Sequence, residues 1–295
     1  MDDSVHFWLD FWNVLTLRSG YNATLVILGT TSLGIASGIV GTFAVLRKRA
    51  LMADALGHAT LPGVVGGFLI SLIFGATGPE ILPLLIGGGC SGLLGIWAVQ
   101  FLVRHPRMQE DAAIGLVLST FFGLGIVLLS VVQTSVSTQT AGLDSYIYGQ
   151  ASAMTRVDVL VLAGISLLVG VISIFLRNPF GEVCFDADFA ATTGWPVDRI
   201  DLFMMGLVAV VCVVGIPAVG LMLVVAFLIV PCAAARLWSV RLLDVLVISG
   251  LIGGISGWCG AALSSSLPNL PTGPVIVLVA GAIFVFSLFF APRRG

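Results

Sequence analysis

The chain has 295 residues, of which 58% are hydrophobic and only 9% charged, with a formal net charge of -2. A soluble domain needs about a quarter of its residues charged to cover its surface, so a water-exposed globule is excluded and most of the solvent must be lipid. The near-neutral balance and the lack of any basic patch give no basis for binding nucleic acid.

The first residues, MDDSVHFWLDFWNVLTLRSG, lack a basic stretch followed by a clean apolar run, so no cleavable leader is expected. Phe7, Trp8, Phe11 and Trp12 stand among Asp2, Asp3 and Asp10. That pattern fits either a short interfacial helix within residues 1–20 or a frayed terminus. About 20 apolar residues cross a hydrocarbon core, which predicts spans at 21–46, 51–74, 80–103, 111–133 and 155–176. Residues 199–236 then form one apolar block of about 38 residues, too long for a single crossing. Gly215-Ile216-Pro217 interrupts it, and proline removes a backbone donor and clashes with the preceding turn. A tight turn is therefore predicted there, with crossings on either side of it, the second at 217–236. Spans at 242–264 and 272–291 complete an all-α polytopic membrane protein of about nine crossings in a single domain, residues 1–295.

Charge asymmetry supports nine crossings. With the N-terminus outside, one side holds Arg47, Lys48, Arg49, Arg104, Arg107, Arg177, Arg199, Arg236, Arg241, Arg293 and Arg294, and only Arg18 and Arg156 lie opposite. A single crossing over 199–236 would scatter these charges. The expected C-terminus is cytoplasmic. Small residues recur at four-residue spacing, as Gly34/Gly38, Gly88/Gly92, Gly250/Gly254 and Gly253/Gly257, and such faces let helices approach closely in lipid. Packing within one subunit is the expected use. Five cysteines, Cys90, Cys184, Cys212, Cys232 and Cys259, without a CxxC, read as small buried packing residues.

An ionisable residue inside a span costs about 2.5–3.5 kcal/mol on insertion scales, so it is a candidate for function. The second span opens LMADALGHATLPGVVGG, in which Asp54 and His58 stand four apart and share one helix face. A carboxylate and an imidazole so placed can hold one divalent transition ion; spacing alone equally allows an Asp–His hydrogen bond without metal. Leu61-Pro62-Gly63 is expected to break the helix just beyond. Irregular backbone at membrane depth needs protein or a water-filled cavity around it, which favours a transport path.

The loop over residues 178–199, NPFGEVCFDADFAATTGWPVDR with its first residue, joins the fifth and sixth spans. Asp186 suits a helix N-cap, Ala187 to Thr193 make about two turns, and Gly194 suits the C-cap. The short acidic helix is either a docking element or an ordinary capped loop. Glu80 at an outer helix end either attracts cations or is simply solvated, His105 beside Arg104 and Arg107 reads as solvated, and His6 in the N-terminal stretch has no evident partner. Asp144, in SVSTQTAGLDSYIYGQ, is an outer-loop candidate for meeting a delivery protein. A P-loop needs G-x-x-x-x-G-K-[ST], and the one lysine, Lys48, has no glycine pattern around it. ATP-driven transport would need a motor on another subunit.

The segments VLRKRALMADALGHATLPG, SYIYGQ, CFDADFAATTGWPV, GLMLVVAFLIVPCAAARL and PTGPVIVLVAG resemble the permease subunits of ABC importers for manganese, zinc and iron, the ABC-3 metal permeases. The resemblance runs from about residue 14 to 294. It departs at Gly57, where such permeases usually carry serine. The resemblance implies a type II importer fold in a bacterial cytoplasmic (inner) membrane and a homodimer. It also implies a cytoplasmic ATPase subunit below and a periplasmic or surface metal-binding protein above. It places the ion in passage at Asp54 and His58, with no permanently bound cofactor. The same resemblance makes the loop around Asp186, Ala187, Asp188, Phe189, Ala190 and Gly194 a coupling helix. Helix breaks at Pro62, Gly63, Gly215 and Pro217 would serve gating.

Two other transport readings stay open: a permease for a metal chelate or cobalamin-type ligand, and a proton-coupled secondary metal transporter with Asp54 as proton carrier. A membrane-embedded enzyme has little support, since neither a nucleophile–base set nor HExxH is present.

Overall fold

The computed structural model describes residues 20–74, 81–105, 107–135, 154–267 and 270–292. The expectations for residues 1–19 (His6 and Arg18 included), Glu80, Asp144, Arg293 and Arg294 lie outside these. The elements are α1 (Tyr21–Leu46), α2 (Ala50–Ala59), α3 (Leu61–Ile73), α4 (Ile81–Val103), α5 (Glu110–Ser135) and α6 (Arg156–Phe175). There follow α7 (Arg177–Phe185), α8 (Ala187–Thr192), α9 (Val197–Val219), α10 (Leu221–Trp238), α11 (Leu242–Ser266) and α12 (Thr272–Phe290). Among the described residues, nine helical stretches are long and apolar enough to cross a membrane, with α2 and α3 acting as one stretch over Ala50–Ile73.

The bundle is organised around α1 and α11. An added Cβ on Gly34 would lie 2.3 Å from the Gly253 carbonyl oxygen, and one on Gly253 would lie 2.1 Å from that of Gly34. Gly38 meets the Ser249 carbonyl in the same way, at 2.4 Å. With only hydrogen at these positions the two backbones touch, and dispersion forces hold them where lipid offers no hydrophobic drive. Side-chain hydroxyls cross the seam, with Ser249 Oγ donating to the Gly38 carbonyl at 2.7 Å and Thr30 Oγ1 to that of Gly257 at 3.3 Å. A second contact of this kind joins α3 to α4 through Gly63 and Gly87, each of whose added Cβ would sit within 2.1 Å of the other's carbonyl oxygen. The glycine pairs thus serve intrachain packing, as their spacing suggested; Gly88 and Gly92 pack on Val64 and Thr60.

Both expected helix breaks sit elsewhere. Pro217 lies inside α9, and the chain turns at Gly220, with φ 86° and ψ 157°. Proline in a last helical turn disturbs only the carbonyl four residues back, whereas this reversal needs a backbone region open essentially to glycine alone. The second span is interrupted at Thr60, the turn residue between α2 and α3, one position before Leu61–Pro62–Gly63. Thr60 keeps helical dihedrals of -74° and -25°, and Pro62 stands in the first turn of α3, where a missing N–H is tolerated. Gly63 is a packing residue.

Two turns close with a left-handed residue that bonds the last carbonyls of the preceding helix. After α1, Lys48 (φ 62°) donates to the Val45 carbonyl and Arg49 to that of Ala44. After α8, Gly194 (φ 92°) donates to Ala191 and Trp195 to Ala190. α7 was not expected from sequence; its Phe180 packs edge-on against Phe43 of α1, ring centroids 5.1 Å apart. All five cysteines are free thiols. Cys212 and Cys232 are buried as expected, but Cys90 is exposed, because its residue on α4 faces outward. Burial pushes the Cys184 thiol on α7 up to about 12, so it stays protonated and a poor nucleophile.

These contacts set the stability of the bundle. Gly34→Ala should destabilise the detergent-solubilised protein by about 1–3 kcal/mol through overpacking. Gly220→Ala should cost a similar amount through backbone strain, about 1–3 kcal/mol. Gly66→Ala, with nothing within 4 Å of the added carbon, should leave the thermal unfolding midpoint unchanged.

Candidate functional site

α2 is the short helix that follows the Lys48 turn, and its register carries Asp54 and His58 on one face. His58 Nε2 lies 3.6 Å from Asp54 Oδ1. That is too far for a hydrogen bond, so the metal-free Asp–His bond that spacing allowed is not made. The separation is what two metal–ligand bonds of about 2.1 Å meeting at a single ion would span. Asp54 keeps 42% of its side chain exposed and His58 21%, leaving both accessible to an ion.

His58 is oriented by packing. Its ring stands edge-on to Phe122 of α5, with centroids 4.8 Å apart and planes at 78°. Its Nδ1 is buried without a hydrogen-bond partner. The ligating histidines of resident metal sites usually donate from the second nitrogen to a fixed acceptor, so this imidazole lacks the clamp of a permanent site. Pro62, four residues on, cannot donate to the His58 carbonyl, which leaves a backbone oxygen with spare acceptor capacity beside the pair. Among the described residues no three His, Cys, Asp or Glu side chains gather at one point.

His58 opens onto a cavity of about 720 Å³ between α2–α3, α5, α12 and the α9–α10 turn. Its walls are apolar apart from His58, and they include Phe122, Gly220, Met222 and Pro274. The turn glycine that the sequence reading missed is therefore a wall of this cavity. Ile216 lines it too, while Gly215 packs instead against Val224 and Leu33. At Gly57, an added Cβ would fall 2.2 Å from Leu221 Cδ1. The leucine fills the space that any side chain at this position would need.

The second candidate segment forms as its caps dictate. Asp186 Oδ1 accepts from the Phe189 N–H at 2.9 Å and starts α8 over Ala187–Thr192, one residue shorter than expected. Ala190 is buried, whereas Phe189 and Trp195 expose 57% and 41% of their surface. This helix does not touch Asp54 or His58. His105 is exposed, as expected.

What the sequence reading missed is a charged cluster between these two places. Asp201, near the start of α9, is 4% exposed. It accepts from Arg47 Nε at 3.1 Å and from Arg49 Nη1. Arg49 Nε also pairs with Glu110, the first residue of α5. The only signal in the sequence is that Asp201 follows Asp198 by one helical turn at the head of an apolar run, where a solvated helix start reads the same way.

The chain and its fold are similar to known proteins. The chain is 40% identical over 93% of its length to the manganese transport system membrane protein MntC of Bacillus subtilis, of which it spans 62%. It is 39% identical over 96% of its length to the zinc transport system membrane protein TroC of Treponema pallidum, of which it spans 93%. Among solved structures, PsaBC from Streptococcus pneumoniae in complex with Fab superposes with a TM-score of 0.79 at 29% identity, covering 94% of each chain. The family model of the ABC 3 transport family matches residues 21–291. This multi-pass membrane chain belongs to that family.

Proposed function

We propose that the chain is the permease subunit of an ATP-driven importer for a divalent transition-metal ion, manganese or zinc ahead of iron. The observation that carries this reading is the Asp54–His58 pair, held 3.6 Å apart on one helix face beside an open, apolar cavity. One carboxylate and one unclamped imidazole make a weak, few-ligand site. Such a site suits passage, since a transported ion must leave as well as enter. The manganese and zinc systems named among the relatives support the choice of cargo.

The remaining parts follow from this reading. The chain lacks a P-loop, so ATP hydrolysis resides in a separate cytoplasmic ATPase subunit. Exposed Phe189 on the capped helix α8 and exposed Trp195 just beyond it suit a cleft in that subunit. A periplasmic or surface metal-binding protein delivers the ion at the opposite face. Two copies of the chain form the pore between them, and the basic helix ends face the cytoplasm by the positive-inside rule. The apolar cavity favours one second reading, a chelate-type permease, because a bare ion does not need about 720 Å³.

Reconstituted complexes separate the readings. Asp54→Ala and His58→Ala should each lower manganese or zinc uptake by about a hundredfold, with an unchanged unfolding midpoint and unchanged assembly, as loss of one of two ligands to the ion predicts. Wild-type uptake at the Ala variants would refute the site. Transport of a chelate but not of free ions would favour the second reading, and uptake without ATP would point to a proton-coupled carrier.

Asp186→Ala removes an N-cap worth about 1 kcal/mol. It should loosen α8 and reduce metal-stimulated ATP hydrolysis in the complex, while leaving metal binding by the permease intact. Isothermal titration beside an ATPase assay checks both halves.

A further inference from the structure

The charged cluster at Asp201 links two parts that the importer reading invokes, the α7–α8 segment and the helices around the Asp54–His58 pair. Arg47 reaches in two directions: its Nε donates to Asp201, and its Nη1 donates to the Val183 carbonyl at 3.0 Å. Val183 belongs to α7, three residues before the cap of α8. Arg49 binds the other Asp201 oxygen and also Glu110. Arg49 is itself the residue that precedes α2, five positions before Asp54. Glu110 begins α5, the helix whose Phe122 stands against the His58 ring. The cluster thus touches the α7–α8 segment on one side. On the other it holds the starts of both helices that form the metal pair and orient its imidazole.

The turn between α1 and α2 explains how one short loop supplies both guanidiniums. Left-handed Lys48 points into solvent, and its neighbours on either side turn inward to the same carboxylate. Stability alone does not account for such an arrangement. Asp201 and, in part, the two arginines lose hydration on burial, and apolar residues of similar volume often stabilise a fold at least as well. Beside the cluster lies a cavity of about 160 Å³, lined by Arg47, Arg49, Gln100, Arg104, Asp198 and Asp201 among others. It holds alternative partners of both signs, with Asp198 one turn earlier on α9 and Arg104 at the end of α4. Packed apolar contacts have one arrangement, whereas this cluster has room for a second.

We infer that Arg47, Arg49 and Asp201 are positioning residues that transmit displacement of the α7–α8 segment to the helix carrying Asp54 and His58. Movement of α7 carries the Val183 carbonyl away and draws Arg47 with it. Asp201 then changes partners, and Arg49 is freed to shift the starts of α2 and α5 against each other. The Asp54–His58 separation and the Phe122 contact change together, and the ion is released. The inference rests on the importer reading.

The test uses the complete complex in proteoliposomes, with its ATPase and binding protein, and reads metal ions moved per ATP hydrolysed. Asp201→Asn keeps size and removes charge. It should hydrolyse ATP at the wild-type rate while the transport ratio falls by about tenfold, and Asp201→Glu should restore most of the ratio. Glu110→Gln alters an arm that is 37% exposed, so it leaves the fold intact even if Asp201→Asn does not assemble. It should lower the ratio by about threefold. A wild-type ratio in Asp201→Asn, or in Glu110→Gln where the first variant does not assemble, overturns the inference. If the wild-type complex itself moves no free metal, the importer reading falls, and that outcome is visible before any variant is compared.

Discussion

Helices in lipid cannot be driven together by expelling water, so their spacing is decided by how closely backbones can approach. In this chain the contact between α1 and α11 through Gly34, Gly38 and Gly253 sets that spacing. The rest of the bundle is laid out from it. α1 ends at the Lys48 turn, so the position of α1 fixes where α2 begins and where Arg47 and Arg49 can reach. The Gly63–Gly87 contact then holds the far half of the same span against α4. The Asp54–His58 pair hangs between two places where glycine removes all slack.

On the proposed importer reading, this mounting suits an ion that must not stay. A resident site surrounds its metal with clamped ligands, and the second-layer bonds fix each ligand's direction. Here Asp54 and His58 have one another at a distance too great for a hydrogen bond, and an aromatic ring replaces the clamp. The close glycine contacts lie behind the pair, and open space lies in front of it. In front are the apolar cavity and the Gly220 turn that forms part of its wall.

Much of the architecture was legible because lipid imposes simple rules. Hydropathy located nine spans to within a few residues, the Asp54–His58 face followed from helical period, and the caps of α8 followed from Asp186 and Gly194. The misreadings share a cause. Pro217 and Pro62 look like breaks in sequence, but proline is harmless where the lost bond lies at a helix end. Gly220 looks ordinary until its φ is known. α7 carries little apolar signal, because its packing residue Phe180 pairs with a partner far away in the chain. Asp201 went unnoticed for a related reason, since its meaning comes from two arginines more than 150 positions distant.

The Lys48 turn has a practical side. The chain contains a single lysine, and it is solvent-exposed between two arginines engaged below the surface. Its left-handed backbone holds the side chain outward. Apart from the terminal amine, amine-directed chemistry therefore has one address on this protein. A fluorophore attached there would sit directly above the charged cluster, where a rearrangement beneath it is read as a change in emission, without engineering a cysteine into the bundle.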